Sequence, residues 1–410
     1  MARHPSLSIA ADALPYSIFA RLYERLATFQ GDVVPFHIGD TYLDPPELSR
    51  LGALGFRTDS EPELYRYAPP SGDGDLIDAL VDKVRRQNQM TFADASCVQI
   101  TCGATHALSC CMRAVLDPGD EILVLAPYWP LIRGIAKSCS VRPVEVPFSA
   151  SELAQPGVDP EAVIERHVSG RTTAIYVCNP NNPDGKVLSH AQLGAIARVA
   201  ERHHLWVLSD EVYEDIVYDD LQHTSISTLP GMAERTMTAF SFSKSYGQAG
   251  LRVGYVVAPA PTAAAVRKMV NHTVYCVPRA VQRAALAAIT SGAPHLADVR
   301  ARYQQARDLA LARVVPPCPT PRGCTYLFLD LSRWMRPGDD CALVGAGGPS
   351  VLERMAEAGL LLAPGIAFGA NYGNWARLCF SSVPEERLIE GIDRLNGVLA
   401  RMEADADAGD

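Results

Sequence analysis

Between Val98 and Ala258, short apolar runs alternate with longer amphipathic stretches. Val98–Thr101, Glu121–Ala126, Val141–Val146, Thr173–Cys178, Leu205–Asp210, Met237–Ser241 and Arg252–Ala258 read as strands. Among them Ala104–Leu116 reads as a helix and Asp117–Asp120 as a turn, and Ser189 caps a helix running to about His203. Strands that are apolar nearly throughout are buried on both faces. Their alternation with helices predicts an α/β fold: a large domain with a mainly parallel sheet sandwiched by helices.

The last third has another pattern. Helical stretches at Pro278–Ser291 and His295–Arg313 lead to strands near Thr325–Asp330 and Trp375–Cys379 and a closing helix at Glu385–Met402. Fewer strands in a changed order predict a smaller α+β domain, residues 301–410, joined by the N-terminal segment 1–50. Residues 51–300 then form the large domain, in keeping with a chain of 410 residues, too long for one core. Pro69–Gly74, Pro316–Arg322 and Gly345–Pro349 read as loops. Glycine-rich Gly345–Gly348 comes after no strand, which argues against a dinucleotide site.

Composition narrows the function. A net charge of −9 gives nucleic acid no basic surface, while a few local arginines remain able to bind small anions. No run approaches the roughly 18 apolar residues of a membrane span, and Met1–Ala10 lacks the apolar core of an export signal. The eleven cysteines show neither CxxC pairs nor metal-like spacing, so they read as reduced thiols and no metal is expected. A cytoplasmic location is the default expectation.

Ligands of such sheets sit beyond the carboxyl ends of the strands, and polar clusters fall at those ends. Gly103-Ala104-Thr105 comes after the first strand and opens a helix whose free N–H groups suit a phosphate. Asn179-Pro180-Asn181-Asn182-Pro183-Asp184-Gly185 comes after Cys178. Asp210 ends its strand, with Tyr213 just beyond, and Ser241-Phe242-Ser243-Lys244 precedes Arg252. Any one of these has an ordinary structural explanation: Asp210 as a helix cap, Lys244 as a surface lysine, Arg252 as an ion pair. Their joint occurrence in this order does not.

Ser209–Asp219 (SDEVYEDIVYD) and Ser241–Tyr255 (SFSKSYGQAGLRVGY) closely resemble the class I/II aminotransferases, fold-type-I pyridoxal phosphate enzymes of the aspartate aminotransferase superfamily. Thr101–Leu108, Ala126–Pro130, Asn179–Gly185, His37–Asp40, Tyr67–Gly72 and the stretch around Arg377 extend the resemblance over nearly the whole chain. It implies an enzyme that moves the amino group of an L-amino acid to a 2-oxo acid through pyridoxamine phosphate. By the same resemblance, Lys244 holds pyridoxal 5′-phosphate as a Schiff base and shuttles a proton, and Asp210 pairs with the pyridine nitrogen. Tyr213 and Asn182 meet the phenolic oxygen, and Trp129 stacks on the ring. Ala104, Thr105, Ser241, Ser243 and Arg252 hold the phosphate. Arg377 clamps the substrate α-carboxylate, a task for a planar fork, and Gly39 lets the backbone approach the substrate. Tyr67 reaches the phosphate of a neighbouring subunit, which implies a homodimer with shared sites.

Two departures qualify the resemblance. Asp184 stands where the family's NPTG turn has threonine, and a changed turn is expected rather than lost activity. No arginine occupies the place of a distal-carboxylate clamp: that region, before Pro278, offers His272, with Arg279 just beyond it, which weakens an aspartate-specific reading. Phe36, Tyr42 and Tyr128 favour a neutral or aromatic amino acid. The alternative is an enzyme of the same fold with another outcome: elimination, cyclisation of an aminopropyl substrate, or oxygen-dependent deamination. The cofactor activates the substrate in each case, and the pocket selects the outcome.

Overall fold

The structure is a computed structural model that describes residues 6–14, 18–56, 61–153, 155–336, 339, 342–343 and 348–407. Most of the expected Gly345–Pro349 loop lies outside these residues. Seven strands form the main sheet: β1 Val98–Thr101, β2 Glu121–Ala126, β3 Arg142–Pro147, β4 Thr172–Cys178, β5 Trp206–Asp210, β6 Thr236–Ser241 and β7 Gly254–Val257. Their order across the sheet is β1-β7-β6-β5-β4-β2-β3. Neighbouring strands are parallel except at β7, which runs antiparallel to both β1 and β6.

The apolar runs are buried on both faces, as their composition requires. Ile122, Val124, Ala174, Tyr176 and Leu208 pack into one core with the helix α1, Gly103–Val115. Leu123, Leu125, Ile175, Val177 and Val207 alternate with them and pack on the other face against the helix α2, His190–Arg202. Each such valine, leucine or isoleucine, once buried, contributes about 1.5–3 kcal/mol. Ser189 caps α2 in a reciprocal arrangement with Gln192, worth about 1 kcal/mol.

One strand departs from the expected form. The apolar run from Arg252 yields a strand only from Gly254, because Arg252 itself takes a left-handed backbone, φ 53°. The link from Ser241 holds only the short helix Phe242–Ser245 and a 3₁₀ turn at Ala249–Leu251. Neither is long enough to cross a face of the sheet, so the chain doubles back beside β6.

A further core is built mostly by the chain ends. β8 (Tyr326–Asp330), β9 (Ala363–Pro364) and β10 (Trp375–Cys379) form an antiparallel sheet with β10 in the centre. Val34–Pro35 pairs in parallel with Leu360–Leu361, and Cys379 N donates to Phe36 O at 2.9 Å. The N-terminal segment is thereby stitched to the C-terminal elements, with Leu22, Val34 and Phe36 in one cluster with Leu378, Leu388 and Leu395. The helix Ala293–Arg313 runs unbroken through residue 300, so the boundary expected there falls inside an element. The closing helix extends over Glu385–Asp407. No helix among the described residues is long and apolar enough to cross a membrane.

Candidate active site

Because β1, β2, β4, β5 and β6 all point the same way, their carboxyl ends share one edge of the sheet. β7 runs the opposite way and so begins at that edge, which is why Arg252, just before β7, belongs there too. A cavity of about 220 Å³ lies over this edge. Gly39, Ala104, Thr105, Trp129, Asn182, Asp210, Tyr213, Ser241, Ser243, Lys244, Arg252 and Arg377 all line it. Tyr67 does not: it is 77% exposed, with its ring 4.7 Å from that of Tyr275.

Strand alternation selects between the adjacent acids Asp210 and Glu211. Asp210 faces the cavity, where its Oδ2 accepts the Tyr176 hydroxyl at 2.8 Å. Burial raises its pKa to about 6, against the opposing influence of that hydrogen bond. Glu211 turns to the other face and accepts from Ser209 and Ser225 hydroxyls at 2.7 and 2.8 Å.

Lys244 projects from the helix Phe242–Ser245, and its Nζ donates to the Gly39 carbonyl. Burial holds its pKa below the usual lysine value, which favours the uncharged amine that acts as nucleophile or base. The Tyr213 ring lies 6.0 Å from Lys244 Nζ. Its hydroxyl shares a hydrogen bond of 2.5 Å with Tyr326.

One flank of the cavity gathers groups able to hold an anion. Helix α1 has no side-chain cap at its N-terminus, so the N–H groups at Ala104 and Thr105 are not occupied by one. Arg252 packs across Gly103: a Cβ there would lie 2.4 Å from its Nη2. Arg252 spends one donor on Ala249 O at 2.8 Å and, among the described residues, forms no ion pair. Ser241 Oγ accepts from Ser243 N at 3.1 Å and donates to Ser243 Oγ at 2.9 Å, bringing both hydroxyls to the same flank.

Arg377 forms the opposite flank. Its position opposite Phe328 on β8 makes Tyr326 its diagonal neighbour on one face, and the guanidinium lies 4.2 Å from the centre of the Tyr326 ring. It donates to Asn182 Oδ1 at 2.9 Å and to the His37 carbonyl at 2.8 Å, both neutral acceptors. Its Nε is buried and, among the described residues, has no partner. Burial and the neighbouring guanidinium lower the pKa of His37 to about 4, so no second cation competes there at neutral pH.

The other sequence expectations fall outside this ring of contacts. Asp184 is buried in the turn, accepting from Asn181 Nδ2 at 2.7 Å and Lys186 N at 3.2 Å. Asn181 Nδ2 in turn reaches Pro127 O at 3.0 Å, tying the turn to the Trp129 segment. Arg279 is paired with Glu63 at 2.8 Å and Asp73 at 3.3 Å, and exposed His272 is bonded to the Lys268 carbonyl. Tyr326, Cys178, Val212 and Ala249 also line the cavity, and the sequence does not single them out. Cys178 and Tyr326 sit within apolar runs, where nothing distinguishes a cavity-lining residue from core, and Val212 and Ala249 are apolar residues with no chemistry to mark them.

Comparison with known proteins gives the arrangement its family. Residues 32–395 match the family of class I and II aminotransferases. The chain is 32% identical over 369 residues to a probable aspartate/prephenate aminotransferase of Thermus aquaticus, covering 88% of this chain and 90% of that one. It is 29% identical over 403 residues to aromatic-amino-acid aminotransferase 2 of Thermococcus litoralis, covering 96% and 98%. A double mutant of Thermus thermophilus aspartate aminotransferase superposes with a TM-score of 0.85 at 29% identity, covering 96% and 100%. A match that spans nearly the whole chain and keeps its fold makes this protein an enzyme of the class I and II aminotransferase family, whose members use pyridoxal phosphate.

Proposed function

We propose that the cavity binds pyridoxal 5′-phosphate on Lys244 and transfers the amino group of a neutral or aromatic L-amino acid to a 2-oxo acid. The observation that carries this reading is Arg377, a buried guanidinium that, among the described residues, is bonded only to neutral oxygens, with its Nε unpartnered. A buried charge without a counter-charge is costly, and a substrate α-carboxylate supplies one in bidentate geometry. The cofactor fits the rest. Ala104, Thr105, Ser241, Ser243 and Arg252 suit its phosphate, Asp210 its ring nitrogen, Tyr213 and Asn182 its phenolic oxygen, and Trp129 a face of its ring.

Bound pyridoxal phosphate supplies an electron sink for the pair left at the substrate Cα. The protein's own groups do the remainder. Arg377 fixes the carboxylate and thus the orientation of Cα, and the bare backbone at Gly39 lets substrate approach. Lys244 Nζ, with its lowered pKa, takes the Cα proton. Asp210, ionised above about pH 6, holds a proton on the ring nitrogen.

The side-chain preference rests on a charge inventory. Among the described residues, Lys244, Arg252 and Arg377 are the cations that line the cavity, and each already has a task. Arg279, nearest by sequence to a distal clamp, is neutralised by Glu63 and Asp73. We further propose a homodimer in which Tyr67 of one copy reaches the phosphate of the other. Exposed Tyr65, Tyr67 and Tyr275 support it.

The test is a panel of amino acids without oxo acid, with and without oxygen, tracking 2-oxo acid and pyridoxamine phosphate formed. Aromatic and neutral donors should exceed aspartate at least about tenfold in the second-order rate constant of this half-reaction. A preference for aspartate would overturn the charge inventory, and ammonia released in place of pyridoxamine phosphate would overturn the amino-transfer reading of the site.

A further inference from the structure

Asp210 is itself held by a residue that the sequence presents as core. On β4, Ala174, Tyr176 and Cys178 face the same core as Leu208 of β5, while Ile175 and Val177 face the other. Tyr176 stands opposite Leu208 and Cys178 opposite Asp210, so the Tyr176 phenol reaches across the diagonal to the carboxylate. The tyrosine is fully buried, and burial keeps its hydroxyl protonated. That hydroxyl donates to Asp210 Oδ2 at 2.8 Å, whereas Oδ1 has only a long 3.5 Å approach from Val212 N.

We propose that Tyr176 is a positioning residue of the active site: by donating to Oδ2 it fixes the Asp210 carboxylate, leaves Oδ1 for the cofactor's ring nitrogen and keeps the carboxylate ionised. This rests on the reading that pyridoxal phosphate binds at Lys244. The groups facing Asp210 leave the task to Tyr176. Cys178 on β4 and Cys324 before β8 are thiols that burial holds protonated. Among the described residues Lys244 is the one cation acting on Asp210, and burial lowers its own pKa. Among the influences that lower the Asp210 pKa against burial, the Tyr176 hydrogen bond ranks first. A phenylalanine would keep the ring and its packing and remove only the donor.

The test is a double-mutant cycle on the full-length protein. Tyr176→Phe should weaken pyridoxal phosphate binding by about tenfold to a hundredfold, the range for a lost hydrogen bond to a charged group. In an Asp210→Asn background the same change should have little effect, because an amide has no charge to hold. In cofactor-free protein with ¹³C-labelled aspartate, the carboxyl signal absent from Asp210→Asn should titrate about one pH unit or more higher in Tyr176→Phe. An equal loss of binding in both backgrounds, or an unmoved titration, would reduce Tyr176 to packing and overturn the proposal. Should Tyr176→Phe not fold, 3-fluorotyrosine at position 176, a stronger donor, must lower the Asp210 titration; no change there is equally fatal. Failure of the wild-type protein to bind pyridoxal phosphate at all would instead overturn the cofactor reading, and this proposal with it.

Discussion

Asp210→Asn should make the cofactor-free protein more stable at neutral pH while removing most of its activity. Burial raises the pKa of Asp210 from the ordinary 3.8 to about 6 in the folded chain. The folded carboxyl therefore holds its proton more tightly than the unfolded one. Its contribution to stability is complete below about pH 3.8, declines as pH rises, and is lost above about pH 6. The loss amounts to about 3 kcal/mol by pH 8, of which about half has already occurred by pH 5. Asparagine has nearly the same shape, cannot ionise, and still accepts from the Tyr176 hydroxyl. The variant should accordingly exceed wild type by about 3 kcal/mol at pH 8 and by about half as much at pH 5. Urea unfolding of both proteins, stripped of cofactor, measures the gap directly. A gap that does not change with pH, or a wild type more stable at pH 8, would refute the reasoning. The stability cost is intelligible if a bound ring N–H offsets it: a buried charge awaiting its partner belongs to a functional site rather than to the core.

Arg377→Ala should raise KM for an α-amino acid by about tenfold to a hundredfold with a smaller change in kcat, since the carboxylate contact persists through the reaction; an unchanged KM would place the clamp elsewhere. Gly39→Ala would put a Cβ 2.2 Å from the Tyr326 hydroxyl, forcing that ring off Tyr213. It should lower kcat by about tenfold or more, and Tyr326→Phe in the same chain should recover part of the loss; no recovery would show that the clash is not with Tyr326. Mixing a Tyr67→Phe chain with a Lys244→Ala chain should, after subunit exchange, leave activity well above that of Lys244→Ala alone, with some sites restored to the wild-type set; none recovered after verified exchange would exclude shared sites.

The sequence made legible what the physics of strand ends makes conspicuous. Asp210, Lys244, Asn182 and Ala104–Thr105 interrupt or succeed apolar runs, so they stand out, and all reach the cavity. Tyr176 and Tyr326 lie inside β4 and β8, where an aromatic reads as packing, and their hydroxyl contacts depend on which strand lies alongside. The sheet order is equally hidden, since pairing β1 with β7 joins segments far apart in the chain. The turn to a left-handed backbone at Arg252 escapes a sequence reading for a related reason: an arginine before an apolar run looks like the start of a strand, and its φ of 53° is set by the doubling back of the chain. Helices such as Ala260–Asn271 escape it because their alanine-rich sequence, with a buried face of Thr262, Ala263, Val266 and Val270, gives a shallow polar contrast. Arg279 shows the opposite limit. Its place in the chain suggests a ligand, and its neutralisation by Glu63 and Asp73 emerges only in the fold.

The central claim is that Lys244 carries the cofactor, and borohydride reduction of the protein reconstituted with pyridoxal phosphate tests it most directly. Peptide mass spectrometry should find the pyridoxyl group on Lys244, and prior treatment with a donor amino acid, oxo acid omitted, should abolish the label by converting the cofactor to pyridoxamine phosphate. A label on another lysine, or none on the reconstituted protein, would contradict the account.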